Sequence, residues 1–251
     1  MIKIYRGDCL ELMKNIKDNS IDMILCDPPY GTTSAVWDKA LDCNLLWEQY
    51  NRIIKQNGAI VLFSQLPFSC DLITTNRKYF RYEWVWQKNI AVGFLNAKKM
   101  PLRQHENILV FYKRLPTYNP QMKQGCKPYK KRDVIKIFSA NQVYGRSQKD
   151  RIIKVQQREN KGVRYPTDVL QFKGARHKHA TQKPIDLLMY LIKTYTNENE
   201  TVLDNCMGSG STGVACKMLN RKFIGMGLRQ DFFNVAVDRI LSCKSQGELF
   251  L

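Results

Sequence analysis

The sequence predicts an α/β fold: a parallel or mixed sheet with helices on both faces, broken by a basic insert. Two observations carry this. Short apolar runs of strand length alternate with stretches of helical apolar spacing through residues 1–112, and the same order returns over 184–241. Between them, residues 113–175 lose that periodicity and fill with Pro, Gly, Lys, Arg, Gln and Asn. That composition marks an insert or small subdomain rather than more of the same sheet. The expected organisation is a first half of the α/β domain over 1–112, the insert over 113–175, and a second half over 176–251.

Each element has its own reason. Residues 1–5, 21–26, 59–63, 82–86 and 108–112 are short β-branched or aromatic runs and read as strands. Residues 9–16 and 41–54 repeat apolar side chains at helical spacing. Residues 184–195 read as a helix with Pro184 in its first turn, where a missing N–H costs nothing. Then follow a strand at 201–204, a helix at 211–219, a strand at 222–226 and an amphipathic helix at 231–241. No internal repeat is present.

The charge narrows the partner. The chain has 251 residues, 44% of them hydrophobic, so it can bury a sizeable core, yet its formal net charge is +18. The sequence pI is about 9.6. Residues 113–183 hold 19 Lys and Arg against 4 Asp and Glu, a net +15, which leaves only +3 for the other 180 residues. Tyr118, Tyr129, Phe138, Tyr144, Tyr165 and Phe172 are interleaved with that charge. A solvated surface needs no such bias over seventy residues. A polyanion does, and bases can stack on the rings, so nucleic-acid contact is expected.

Eight cysteines show no Cys-x-x-Cys pair, and three histidines are not spaced to complete a zinc site. They read as reduced thiols, mostly in the core, and no metal is expected. No signal peptide and no apolar run near eighteen residues is seen, so a soluble cytoplasmic protein without membrane contact is expected.

The most informative stretch is Asp22-Met-Ile-Leu-Cys-Asp-Pro-Pro-Tyr-Gly31. A buried apolar strand ends in a carboxylate, two prolines that stop and stiffen the chain, and a flat ring. Asp27, Pro28, Pro29 and Tyr30 therefore stand at the mouth of a sheet, suited to a planar amine such as that of a nucleobase. A second motif, Thr201-Val-Leu-Asp-Asn-Cys-Met-Gly-Ser-Gly-Ser-Thr-Gly213, joins a strand to a helix through a glycine-rich turn. Gly208 and Gly210 would let the backbone approach a ligand, the helix start favours an anionic group, and Asp204 suits an amine or hydroxyl. A third element, His179-Ala-Thr-Gln-Lys-Pro184, offers Thr181 and Lys183 to a carboxylate. Taken alone, it is equally a proline-started helix with polar flanks.

Asp27-Pro-Pro-Tyr30, the basic insert, Thr-Gln-Lys-Pro184, then Asp204 with Met-Gly-Ser-Gly210 resemble, in that order, the beta group of amino-methylating DNA methyltransferases. The resemblance covers roughly residues 1–112 and 176–241, and the basic middle lies where that group keeps its target-recognition region. It implies a Rossmann-like fold binding S-adenosylmethionine at the strand carboxyl ends. It places Asp204, Met207, Gly208, Ser209 and Gly210 at the methionine part, Thr181 and Lys183 near its carboxylate, and Asp27 beside it. Gly7-Asp8-Cys9 matches the group's N-terminal acid motif beside the cofactor adenine, and Asp8 equally reads as the N-cap of the helix that follows. Asp27 and the Pro28 carbonyl would accept the hydrogens of the target amine while Tyr30 stacks on the flipped base. Asp rather than Ser at position 27 leans toward adenine. Double-stranded DNA is the implied partner, and related enzymes often form homodimers.

Two stretches depart from the group. Gly227 stands where a glutamate grips the cofactor ribose, and Arg229 where an aspartate is frequent, so weaker cofactor binding is expected, with Asp231 out of register to compensate. Asn205-Cys206 replaces Pro-Phe, which predicts a looser pocket floor.

Overall fold

A computed structural model describes residues 1–31, 41–130, 159–174 and 182–243. The chain divides into two units, Met1–Asn119 with Thr167–Leu251, and Pro120–Pro166.

The larger unit is built on an eight-stranded mixed sheet. Its first part contains β1 (Ile2–Arg6), α1 (Cys9–Met13), β2 (Ile21–Cys26), α2 (Cys43–Ile53), β3 (Ile54–Ser64), α3 (Phe68–Thr75), β4 (Phe80–Val92) and β5 (Arg103–Phe111). After the smaller unit, which carries β6 (Tyr129–Lys130) and β7 (Glu159–Asn160), come β8 (Val169–Gln171), α4 (Ile185–Tyr195), β9 (Thr201–Asp204), α5 (Ser211–Met218), β10 (Lys222–Gly227) and α6 (Gln230–Ser242). The sheet order is β1-β10-β9-β2-β3-β5-β4-β8. Strands β1, β10, β9, β2 and β3 run parallel, while β5 is antiparallel to both β3 and β4.

β2 explains why this sheet is covered on both sides. Five of its six residues are buried, so alternate side chains feed two cores. Met23 and Leu25 join the core under α4, α5 and α6, with Leu187, Leu191, Val214 and Ala236. Ile24 and Cys26 join the core under α1, α2 and α3, with Met13, Leu46 and Phe68. Parallel strands with helices on both faces give the Rossmann-like architecture expected from the sequence.

Around this sheet the structure adds a helix, α3, and a strand, β8. α3 carries only Phe68, Ser69 and Leu72 as buried residues in eight, and its two threonines blur the helical signal. β8 falls within the stretch that composition assigned to the insert, yet it pairs in parallel with β4 through Val85↔Val169 and Gln87↔Gln171. Only Leu170 of its three residues is buried, too little for periodicity to register.

In the smaller unit, β6 and β7 pair antiparallel and Lys123 bridges Arg164. A turn at Gly162 (φ +91°) brings the chain against the Cys126 carbonyl, where a Cβ would lie 2.4 Å away, so glycine is required. Most of the basic stretch between 127 and 154, with Phe138 and Tyr144, lies outside the described residues. Among those described, no helix is long and apolar enough to cross a membrane.

Candidate active site

The two sequence motifs lie 177 residues apart but meet because β2 and β9 are neighbours, paired through Met23↔Val202 and Ile24↔Leu203. Asp27 follows β2 and Asp204 ends β9, so both acids stand at the carboxyl ends of adjacent parallel strands. From β2 the sheet continues through β3 to one side, and from β9 through β10 to the other. Such a switch point opens the crevice that ligands of α/β sheets occupy.

On the β2 side, Asp27 is held through both oxygens. Tyr30 Oη donates to Oδ1 at 2.7 Å and Lys183 Nζ to Oδ2 at 2.5 Å. Pro28 is buried and fixes the backbone between them. The Tyr30 ring is backed by Phe68, with centroids 5.5 Å apart and planes 29° from parallel. Burial, then the Asp27 charge, pushes the Tyr30 phenol well above its ordinary range, so it stays a neutral donor.

Lys183 continues into a charged cluster that the sequence motifs do not reveal. Its ammonium lies 3.4 Å from Glu106 Oε2 and 5.0 Å from the centre of the Phe63 ring. Glu106, in β5, is paired by Lys88 of β4 and receives Gln65 Nε2 at 3.3 Å, both on Oε1. Burial alone would lower the Lys183 pKa, but Asp27 and Glu106 outweigh it and hold the ammonium above its ordinary value. Burial would likewise raise Glu106, but Lys183 and Lys88 outweigh it and hold the carboxyl low. Lys183 and Glu106 are thus both ionised at neutral pH. One signal was available: Glu106 precedes Ile108 and Val110 at strand spacing, which puts a charge on a core-facing row.

On the β9 side, Asp204 is 4% exposed and accepts from the Cys206 N–H at 3.1 Å. Burial pushes its carboxyl up to about 7. Asn205 does not loosen the floor. Its Oδ1 accepts from the buried Tyr50 Oη at 2.6 Å, which ties the turn to α2. The glycines divide their labour. Gly208 (φ +49°) has nothing within 4 Å of where a Cβ would sit, so its side is open. Gly210 (φ +79°) packs α6 instead, since its Cβ would lie 2.9 Å from Ala236 Cα. Ser209 is engaged structurally, its Oγ and carbonyl both accepting from Arg239 Nη1 at 2.8 and 2.5 Å. Met207 is buried, anchored through its N–H to the Met226 carbonyl at 2.9 Å.

Asp8 caps α1 by accepting from Leu10 N at 2.8 Å, and the neighbouring Gly7 N–H donates to the Gly227 carbonyl at 3.1 Å. Asp8, Cys9 and Gly227 therefore share one edge of the same crevice. Arg229 does not face that edge as a free cation. It pairs with Asp231 at 3.0 and 2.5 Å and lies over the Phe232 ring. Thr181 lies outside the described residues. Among those described, no cluster of three or more His, Cys, Asp or Glu residues could hold a metal ion.

The donor set fits a zwitterion. A buried carboxyl whose pKa has been raised gains most from a cation, the start of α5 offers unpaired N–H groups to an anion, and the open side of Gly208 leaves room for backbone contact.

The chain is similar to known proteins over most of its length. A family model described as DNA methylase matches residues 21–238. Type II methyltransferase M1.MboII of Moraxella bovis is 29% identical over 259 residues, covering 93% of this chain and 94% of its own. DNA adenine methyltransferase YhdJ of Escherichia coli is 25% identical over 262 residues, covering 94% and 82%. Among solved structures, the M1.HpyAVI–SAM complex is 25% identical with a TM-score of 0.62, covering 95% of this chain and all of that one. The cytosine-N4-specific PvuII DNA methyltransferase, 15% identical with a TM-score of 0.67 and covering 99% and 90%, shares the fold. With most of its length matched by the family model and its acid-Pro-Pro-aromatic turn beside a glycine-rich acid turn, the chain belongs to the amino-methylating (N6/N4) DNA methylases.

Proposed function

We propose that the chain methylates the exocyclic N6 amine of an adenine flipped out of duplex DNA. The methyl donor is S-adenosylmethionine, which supplies an electrophilic methyl on a sulfonium. The observation that carries this reading is the placement of Asp27 and Asp204 on neighbouring strand ends, which puts an amine-accepting carboxylate beside a zwitterion cradle. Asp204, the Met207–Gly210 turn and the start of α5 are suited to the methionine part, and Asp8, Cys9 and Gly227 to the nucleoside edge.

An aromatic amine is a poor nucleophile because its lone pair is delocalised into the ring. Asp27 and the Pro28 carbonyl accept its two hydrogens and draw the nitrogen toward tetrahedral geometry. Tyr30, backed by Phe68, supplies the face on which the base stacks. Held by Asp204 and the Met207–Gly210 turn, S-adenosylmethionine would supply the methyl group and its sulfur would keep the electron pair of the broken bond, while the Asp27 carboxylate takes the proton that the amine gives up. No covalent link to the chain is required.

Adenine rather than cytosine is supported by Asp at position 27 and by relatives such as YhdJ, whose name states adenine. The deciding experiment incubates the protein with mixed-sequence duplex DNA and isotope-labelled S-adenosylmethionine, then digests to nucleosides for mass spectrometry. Label in N6-methyl-2′-deoxyadenosine is expected, and label in N4-methyl-2′-deoxycytidine alone overturns the base assignment. Asp27→Ala is expected to abolish transfer and leave DNA affinity within about threefold, because it removes only the acceptor of the amine. One observation favours a second reading, a DNA-binding relative silenced at its cofactor pocket: Gly227 carries no ribose-gripping carboxylate, and Asp231 is occupied by Arg229. Isothermal titration with S-adenosylmethionine separates the two, since a silenced chain binds DNA but not the cofactor.

A further inference from the structure

The Glu106 cluster is unused by the chemistry above, yet it touches the acceptor carboxylate. Asp27 has no idle oxygen: Tyr30 holds Oδ1 and Lys183 holds Oδ2. A carboxylate oxygen can take two donors, so an incoming amine that donates to Oδ2 shares it with an ammonium whose charge opposes the positive charge that develops on the nitrogen as it is methylated. Glu106 offers that ammonium a second seat. Its Oε1 is saturated by Lys88 and Gln65, and Gln65 is itself fixed by Arg103 Nη1 at 2.8 Å. Its Oε2 is buried and, among the described residues, accepts no hydrogen bond, although Lys183 Nζ stands only 3.4 Å away. A buried carboxylate oxygen without a hydrogen bond is costly unless something fills it for part of the cycle.

We propose that Lys183 is a two-position ammonium that moves from Asp27 to Glu106 when the target amine arrives, and that Glu106 is the positioning residue that makes this release possible. The inference rests on Asp27 being the amine acceptor of the reaction proposed above. Two carboxylates and two ammonium groups make the cluster neutral overall, and a shift of Lys183 from one carboxylate to the other conserves that neutrality. The carboxylate it uncovers, Asp27, is 31% exposed and takes the amine in exchange, so no ion is stranded in the low-dielectric interior, which is the usual obstacle to moving a buried ion. Phe63, against which the ammonium already rests, faces it through the shift. In the resting site Lys183 keeps Asp27 oriented. In the reacting site Glu106 takes Lys183, and Oδ2 is left for the amine.

This predicts a non-additive pattern that loss of a merely structural salt bridge would not produce. In Glu106→Gln the second seat is neutral, so Lys183 stays on Asp27 and opposes the charge that develops on the amine. In the double variant Glu106→Gln with Lys183→Met, that ammonium is gone and Asp27 is free again. We expect Glu106→Gln to lower kcat about tenfold or more with the cofactor Kd within about twofold of the parent, and the double variant to be about fivefold or more faster than Glu106→Gln alone. Each variant is assayed as the full chain, with its melting temperature recorded. If Glu106→Gln does not fold, Glu106→Asp, which withdraws the seat by one methylene and keeps its charge, takes its place with the same expected relief by Lys183→Met. A double variant no faster than the single one overturns the proposal. So does a cofactor Kd weakened about tenfold by Lys183→Met alone, which would make Lys183 a cofactor ligand instead. Asp27→Ala distinguishes the two levels: if it remains active, the acceptor reading itself fails. If it is dead while the double variant shows no relief, only the Lys183 shift fails.

Discussion

Gly227→Glu tests the departure from the family pattern at the nucleoside edge. The backbone accepts the change. Gly227 is not in the left-handed region, and an added Cβ would meet Met207 Cε at 3.4 Å, Met207 Cγ at 3.7 Å and Phe233 Cδ2 at 3.7 Å, which is ordinary packing distance. Its carbonyl stays bonded to Gly7 N, so the strand end keeps its register. A glutamate there can accept from two ribose hydroxyls, each such charge-assisted bond contributing about 1.5–3 kcal/mol. Ordering the new side chain costs up to about 2 kcal/mol. The net is about 1–4 kcal/mol, so the dissociation constant for S-adenosylmethionine should fall by about fivefold to a thousandfold. Isothermal titration of the parent and variant reads this directly, with DNA affinity as the control for global effects. A correctly folded variant whose cofactor affinity does not move would refute the assignment of this edge to the ribose. Adding Arg229→Asp should tighten binding further or leave it unchanged, because Arg229 is turned toward Asp231 and away from its own helix cap.

Three other outcomes are testable, two drawn from the structure and the third from the charge of the sequence. Asp204 titrates near 7 when folded against an ordinary 3.8, so the folded state binds the extra proton between these values, and stability falls as pH rises through that window. Asp204→Asn should therefore gain about 2–3 kcal/mol on the parent between pH 5 and pH 8 in urea titrations while losing cofactor binding, and a gain independent of pH would contradict the burial argument. Gly210→Ala should be far more destabilising than Gly208→Ala in thermal melts, since the first drives a Cβ into Ala236 and the second enters open space, so equal losses would mean that α6 does not depend on this packing. Neutralising Lys and Arg residues between 127 and 154 should weaken DNA binding and flatten its salt dependence by about one unit of slope for each phosphate no longer neutralised, and an unchanged slope would place the DNA face elsewhere.

The central parallel strands were legible because β2 and β9 are short, mostly buried and punctuated by Gly, Pro and acids. β2 and β9 take the ranges that their apolar runs suggest, 21–26 and 201–204. What escaped was governed by neighbours rather than by local pattern. β8 buries only Leu170 and owes its strand conformation to β4. The glycine turn was recognisable as a turn, but its spacing cannot say that Gly208 faces open space while Gly210 is filled by α6 from twenty-six residues further on.

The same distinction applies to the chemistry. A motif records residues that must be adjacent in the chain, and Asp27-Pro-Pro-Tyr30 is such a case, because a rigid backbone has to present carboxylate, carbonyl and ring together. Lys183 belongs to a different motif, and on sequence grounds it pointed to the cofactor carboxylate. The structure instead seats its ammonium on Asp27, 156 residues away. Glu106 and Lys88 belong to no motif, since they meet only through the pairing of β4 with β5, which sets Trp86 opposite Glu106. A carboxylate that must first bind an ammonium and then yield to a neutral amine needs a second anion near the ammonium but out of reach of the base. A strand deeper in the sheet can supply it, and the motif loop, committed to the substrate, cannot. The groups that tune Asp27 are thus spread over β4, β5 and the approach to α4, so their substitution should alter turnover while leaving the recognisable motifs intact.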